Sequence, residues 1–180
     1  MPAFLAPFLR NWSQPLGPIP AGVRAGLMGL ALLLRLYAGG LIGGLLGLLG
    51  LKDLGLLTNP GFVPYGYDKL FAGNVTFGMG PDFFQALGMP LPGLISPLIG
   101  VLELVGGLAL IGGLLTRLFA LPLAGSMLVA MVTFGNIPAE LPLFVAAALL
   151  VWLGGGLLSV DQLVDRRTAA ARRPTPIVSR

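Results

Sequence analysis

The feature that most constrains this chain is a long apolar stretch with a single carboxylate at its centre. It runs from Pro92 to Arg117 and reads PGLISPLIGVLELVGGLALIGGLLTR. A helix of about 24 of these residues spans roughly 36 Å, which is enough to cross a hydrocarbon core of about 30 Å. Glu103 would then lie near the middle of the membrane, where a charge is costly unless another polar group pairs with it. The stretch therefore predicts a transmembrane helix whose Glu103 faces protein.

The composition of the whole chain supports a membrane location. Of its 180 residues, 56% are hydrophobic and only 10% are charged, whereas an average soluble domain has about 25% charged residues. The formal net charge of +4 is of the kind that reports membrane orientation, so we expect no nucleic-acid partner. The chain has no Cys and no His, which excludes thiolate or imidazole ligation of zinc, haem or Fe–S clusters by this chain. We therefore expect no metal site, and any cofactor would be a quinone or lipid held without covalent bonds.

The apolar segments predict an all-α, integral membrane four-helix bundle. The spans are expected at about 23–51, 93–116, 118–134 and 141–158, within one domain covering 23–165. Between the first two spans, residues 52–91 are rich in Pro, Gly and aromatic residues and are interpreted as an interfacial loop with a short helix beginning at Pro81. Residues 1–22 are interpreted as an N-terminal interfacial arm and residues 166–180 as a basic cytoplasmic tail.

The charges orient this arrangement. Four spans put both termini on one side, which carries eight arginines and two aspartates and so has a net charge of +6. The opposite side carries two lysines and four carboxylates, a net charge of −2. The positive-inside rule then predicts both termini in the cytoplasm, with Arg117 as a topology anchor that reaches the head groups.

Arg35 is the one charged residue well inside the first predicted span, and its estimated depth in the membrane nearly matches that of Glu103. We therefore predict that Arg35 and Glu103 form a buried polar pair. Such a pair serves either a quinone or proton path, or only the register of the helices. If the two are not coupled, Lys69 or a neighbouring subunit is the next candidate partner for Glu103.

Glycines recur at four-residue spacings in the same helices and predict close helix packing. A groove for a flat, lipid-like cofactor is the alternative to packing in the first span. The glycines singled out are Gly39, Gly43, Gly47, Gly100 and Gly107.

Four polar residues in the connection after the first span form a candidate site for a quinone or anionic lipid head group at the outer interface. They are Tyr65, Tyr67, Asp68 and Lys69. Tyr and Lys are also ordinary interfacial anchors, which is the alternative interpretation.

Several spaced motifs of the chain resemble the DoxX family of small four-helix membrane proteins. They are FVPYGYDKLF at 62–71, FQALGMP at 84–90, LELVGG at 102–107, GLLTR at 113–117 and GLLSVD at 156–161. Two departures are that Tyr65 stands where family members often have His, and that about 18 extra residues lie between Arg35 and the motif at 66–69.

The resemblance implies a membrane subunit of a larger inner-membrane complex, since the family is named from a membrane subunit of a thiosulfate:quinone oxidoreductase. By this likeness the chain is at most a membrane subunit of a quinone-linked oxidoreductase, with lipids and other membrane subunits as partners. A purely structural or assembly subunit is the alternative. A small transporter is a third interpretation, which would need a charged path through the bundle.

Overall fold

The computed structural model describes residues 20–51, 54–72, 78–135 and 137–164, and in these ranges its regular structure is helical, without strands. The predicted N-terminal arm falls almost wholly outside the described residues, and the basic tail does so entirely. Seven α-helices make up the described chain, and a helical turn at 160–164 follows the last. They are α1 (Ala21–Gly39), α2 (Leu41–Leu48), α3 (Phe62–Tyr67), α4 (Pro81–Ala86), α5 (Pro92–Gly112), α6 (Thr116–Phe134) and α7 (Ile137–Leu153).

Three of these helices, α1, α5 and α6, are long and apolar enough to cross a membrane. The fourth predicted span corresponds to α7, a helix of 17 residues that is followed by Gly154 at a φ of +72°. Large apolar side chains on the outer faces of the long helices are exposed, among them Val101, Val105 and Leu108 on α5. Contiguous apolar surface of this kind is typical of a protein that faces lipid.

The first predicted span is not one helix, and the prediction of a continuous helix over 23–51 is wrong. The helix breaks at Gly40, which has a φ of +94° and ends α1 in the left-handed conformation. The carbonyl oxygen of Pro60 occupies the space where a Cβ at this position would lie. Glycine is therefore the residue that permits both the backbone conformation and the close approach.

The chain leaves the bundle after Gly40 and returns at Gly61, whose backbone lies directly beside Gly40. From there α3 packs along α5, with Gly66 against the backbone of Gly100 and Leu104. A π-helical turn, Asp68–Ala72, extends α3. Residues 62–72 therefore do not form an interfacial loop: α1 and α3 follow one another along α5, and the described residues of 41–51 and 54–60 are looped out between them.

The predicted packing glycines fall into two groups. Gly39 lies against the side chain of Ile111, and Gly100 and Gly107 lie where α3 and its π-turn cross α5. Gly43, however, contacts the backbone of Asn59 in the looped-out segment, and a Cβ at Gly47 would have no atom within 4 Å. Within the described chain, the predicted packing role of Gly47 is therefore wrong.

The two ends of the bundle are defined by different contacts. At one end, the backbone N–H of Leu157 donates to the carbonyl of Met28 at 3.2 Å, so the segment after α7 meets α1. At the other end, α4 meets the end of α6, with the rings of Phe83 and Phe134 5.0 Å apart. The short helix predicted from Pro81 is confirmed as α4, with proline in its first turn.

Candidate functional site

The carboxylate of Glu103 pairs with Lys69. The Nζ of Lys69 lies 2.6 Å from Oε2 of Glu103, and the two side chains are 6% and 2% exposed. The pairing of Glu103 with Arg35 predicted from their estimated depths is therefore wrong, and the partner is the lysine named as the next candidate. The π-turn can approach α5 this closely because Gly100 lies under the Cβ of Lys69.

Tyr65 and Lys69 are four residues apart on the helical segment formed by α3 and its π-turn, so both side chains lie on the same face. The ammonium of Lys69 lies 5.5 Å from the centroid of the Tyr65 ring, within the range of a cation–π interaction. The turn is fixed from the opposite direction by Asp68, whose Oδ2 accepts a hydrogen bond from the backbone N–H of Met79 at 3.1 Å.

A small cavity adjoins this ion pair, between α3, α5, α6, α7 and the segment around α4. It offers about 30 Å³ in which the centre of a water molecule fits, room for on the order of two waters. Its polar lining includes Tyr65, Lys69, Glu103 and Glu140. The rest is mainly apolar, with three thioethers and two aromatic rings: Met79, Met89, Met127, Phe84 and Phe134. We call these four polar residues and the cavity the Lys69 site.

Glu140 was not predicted as a site residue. It lies in the first turn of α7, where a carboxylate is usually explained by the helix dipole. Here its side chain is turned inward and the residue is only 5% exposed. It interacts electrostatically with Lys69 and with Glu103, yet its carboxylate forms no hydrogen bond with the described part of the chain. The signal in the sequence that could have identified Glu140 as a site residue was a single carboxylate at the start of an apolar helix.

The predicted head-group residues are divided by the fold. Tyr65 and Lys69 line the cavity. Tyr67 is 54% exposed and its ring contacts Phe71, whereas Asp68 is fully buried in its contact with Met79. The four residues therefore do not share one site. Among the described residues, no group of three or more His, Cys, Asp or Glu side chains is placed to hold a metal ion.

Arg35 lies in a second buried polar cluster, where it is bonded to backbone carbonyls. Its guanidinium has five N–H donors, and five carbonyls accept from it. Nε donates to Leu110 at 2.9 Å and Nη2 to Ile111 at 3.0 Å, so two bonds go to the end of α5. The other three go to the segment after α7, to the carbonyls of Gly155, Leu157 and Leu158. A cation at the end of α5 also complements the helix dipole.

The same segment after α7 caps the start of α6. Oδ1 of Asp161 accepts from the backbone N–H of Leu115 at 2.7 Å, and Oδ2 accepts from that of Thr116 at 2.9 Å. The N–H of Asp161 donates to the carbonyl of Gly113 at 3.1 Å. The carboxylate thus satisfies two N–H groups at the start of α6 that would otherwise lack partners.

Arg117 joins the second cluster. The residue is only 7% exposed, and its Nη2 donates to the carbonyl of Trp152, near the end of α7, at 3.1 Å. The predicted extension of this side chain to the head groups is therefore wrong, and it ties α6 to α7 instead. We call Arg35, Thr116, Arg117, Ser159 and Asp161 the Arg35 cluster.

These features define a class: an integral membrane protein built of helices, with apolar outer faces and two polar clusters buried inside. Residues 56–136 match the family model named DoxX, which confirms the predicted resemblance to this family. The matched region includes Tyr65, Lys69 and Glu103 of the Lys69 site, while Glu140 lies beyond it. No curated protein and no solved structure matches the chain.

Proposed function

We propose that the chain is a four-span inner-membrane protein with both termini in the cytoplasm, and that it serves as a subunit of a larger quinone-linked redox assembly. In this proposal the Lys69 site holds the head group of a quinone or a lipid, and the chain supplies no metal or haem of its own. Other membrane subunits and the surrounding lipid are its partners.

The four-span topology is supported by the lengths of the helices. α5 has 21 residues and is about 31 Å long at 1.5 Å per residue. On its flank, α1 and α3 together provide a first crossing of comparable length. α7, with 17 residues, is about 25 Å long and would need to stand nearly upright or thin the bilayer locally.

Cysteine labelling tests the orientation, because the chain has no Cys of its own. Gln85 and Leu163 are both exposed and lie at opposite ends of the bundle. In whole cells, Gln85→Cys should react with a membrane-impermeant reagent and Leu163→Cys should not. The reverse pattern would contradict cytoplasmic termini.

The observation that carries the head-group proposal is the position of Lys69 beside the cavity. A quinone presents two carbonyl oxygens and needs hydrogen-bond donors. Lys69 has three N–H donors, of which one is directed to Glu103 at 2.6 Å and another lies near the thioether of Met79. The remaining lining of aromatic and thioether side chains suits a flat ring.

The cavity is small for such a ring, so the proposal requires that its walls adapt. Three lining side chains, Met79, Met89 and Met127, are unbranched and can change rotamer at low cost. A head group would enter as these thioethers move aside. Lys69 and Glu103 would keep their positions, because the π-turn and α5 pack closely against each other at Gly100.

Quinone binding tests the proposal directly. The purified protein should retain quinone, or be labelled by a photoreactive quinone, and Lys69→Met should lower the occupancy about tenfold, as expected for loss of one charge-assisted hydrogen bond. Tyr67→Phe is the matched control, because Tyr67 is exposed on the same segment and does not line the cavity. Equal labelling of wild type, Lys69→Met and Tyr67→Phe would reject the head-group role.

A second candidate function, a purely structural or assembly subunit, is favoured by the looped-out segment. Between residues 41 and 57 it exposes seven leucines: Leu41, Leu45, Leu48, Leu49, Leu51, Leu54 and Leu57. Gly44 and Gly47 on α2 have open space beside them, which leaves room for a helix of another subunit. The double substitution of Gly44 and Gly47 by Leu should then shrink the assembly seen in mild detergent and leave the fold of the chain intact. An assembly of unchanged size would argue against this candidate.

A further inference from the structure

The Lys69 site contains two carboxylates for one ammonium. The Glu103 carboxylate is satisfied by Lys69 at 2.6 Å. Glu140 is 95% buried, lines the same cavity and forms no hydrogen bond with the described part of the chain. If both carboxylates were ionised, the site would hold an uncompensated negative charge inside the bundle, where desolvation makes such a charge costly.

No other charged group on the surrounding elements is placed to neutralise Glu140 within the described chain. α3 contributes Tyr65, the π-turn contributes Lys69, and α5 contributes Glu103. The polar lining residue of α6 is Ser126, whose hydroxyl donates to the carbonyl of Leu123 at 2.8 Å. Asp68 is directed to Met79, and the five donors of Arg35 are all used in the other cluster.

We infer that Glu140 carries an exchangeable proton, and that the Lys69 site is a proton-binding site whether or not a quinone enters it. Binding the proton converts the Glu140 carboxylate to a neutral carboxylic acid and leaves Lys69 and Glu103 as a balanced pair. The acid O–H then donates into the cavity, which has room for on the order of two water molecules. Release of the proton returns it to this water, and no oxidant or reductant takes part.

Infrared spectroscopy tests this inference on the full chain in detergent or lipid. Wild-type protein at neutral pH should show the C=O stretch of a protonated carboxylic acid, and the band should shift in D₂O. Glu140→Gln should abolish the band, whereas Asp82→Asn, which alters an exposed carboxylate on α4, should leave it unchanged. A wild-type spectrum without the band, or a band that persists in Glu140→Gln, would overturn the inference.

A second measurement uses only the wild-type protein, so it does not require that Glu140→Gln fold. Dicyclohexylcarbodiimide is a lipid-soluble reagent that modifies protonated buried carboxyl groups. Mass spectrometry should find the adduct on Glu140, and an adduct confined to Glu103, or absent from both, would contradict the assignment. Neither measurement uses quinone, so a failure of the head-group proposal and a failure of this inference are distinguishable.

Discussion

The two buried polar clusters of this protein differ in whether their charged groups at Arg35, Asp161 and Glu140 are hydrogen-bonded. In the Arg35 cluster, all five donors of the guanidinium have carbonyl acceptors, and both oxygens of Asp161 accept from backbone N–H groups. In the Lys69 site, one ion pair is satisfied, but Glu140 has no hydrogen bond within the described chain. The hydroxyl of Thr116 in the first cluster also has no hydrogen bond within the described chain, but the two charged groups of Arg35 and Asp161 are fully bonded, whereas the second cluster keeps a whole carboxylate without a hydrogen bond.

This difference separates architecture from function on physical grounds. A buried charged group is costly unless it is hydrogen-bonded, so the fully bonded side chains of Arg35 and Asp161 stabilise one arrangement of the helices. A buried carboxylate without a hydrogen bond beside a cavity destabilises the fold, and no structural contact compensates for it. Exceptions of this kind concentrate at functional sites, which is why we place the function at Lys69 rather than at Arg35.

The largest effect is expected from Arg35→Leu, which tests whether the Arg35 cluster is structural. The substitution leaves five backbone carbonyls without their donor, at least two of them buried, and should lower the free energy of unfolding by about 3–5 kcal/mol, the range for breaking a buried charged network. Unfolding in mixed micelles measures it, with Arg24→Leu, an exposed arginine of the same helix, as the control. A loss no larger than that of the control would mean that the bonds to Arg35 do not hold the fold.

A smaller loss is expected from Gly113→Ala. Gly113 has a φ of +65°, and a Cβ there would lie 2.5 Å from the Cβ of Ser159 and 2.6 Å from Nη1 of Arg35. Strain and overpacking together should cost about 2 kcal/mol. Gly112→Ala is the matched control, since its Cβ would meet nothing within 4 Å. If both variants unfold alike, the close packing around Arg35 is not a constraint on the chain.

The Lys69–Glu103 pair should show coupling that the Arg35–Glu103 combination lacks. Lys69→Met and Glu103→Gln should each destabilise the fold, because each leaves its partner buried without compensation. The double variant should recover about 1–2 kcal/mol of the summed loss, a usual coupling for residues in contact. In the same unfolding assay, Arg35→Leu combined with Glu103→Gln should be additive. Coupling in the second pair and additivity in the first would restore the pairing expected from sequence.

The positions of α5 and α6 were predictable from the hydropathy of the sequence. The burial of Glu103 was predictable because a charge in an apolar helix, with glycines beside it, must face protein. The helices expected at 93–116 and 118–134 are found as Pro92–Gly112 and Thr116–Phe134. Glu103 is buried, as required of a charge in an apolar helix.

The partners of the charges were not predictable in the same way. The break at Gly40 depends on a tertiary contact with the carbonyl of Pro60, while the residues after it, LIGGLLGLLGL, remain as apolar as a continuing span. Counting depth along one unbroken helix therefore misplaced Arg35, which lies beside Leu110 and Ile111, about two turns from Glu103. Glu140 was missed because a carboxylate in a first helical turn has an ordinary explanation.

The most direct test of the contrast applies the same change, carboxylate to amide, to each cluster. Asp161→Asn should lower the free energy of unfolding by about 1–2 kcal/mol, because the charged cap of α6 is lost. Glu140→Gln should leave it within about 0.5 kcal/mol of wild type, because an amide of the same shape replaces a group without a hydrogen bond. If Glu140→Gln destabilises the protein as much as Asp161→Asn does, the Lys69 site is as much a part of the architecture as the Arg35 cluster, and the distinction drawn between them is wrong.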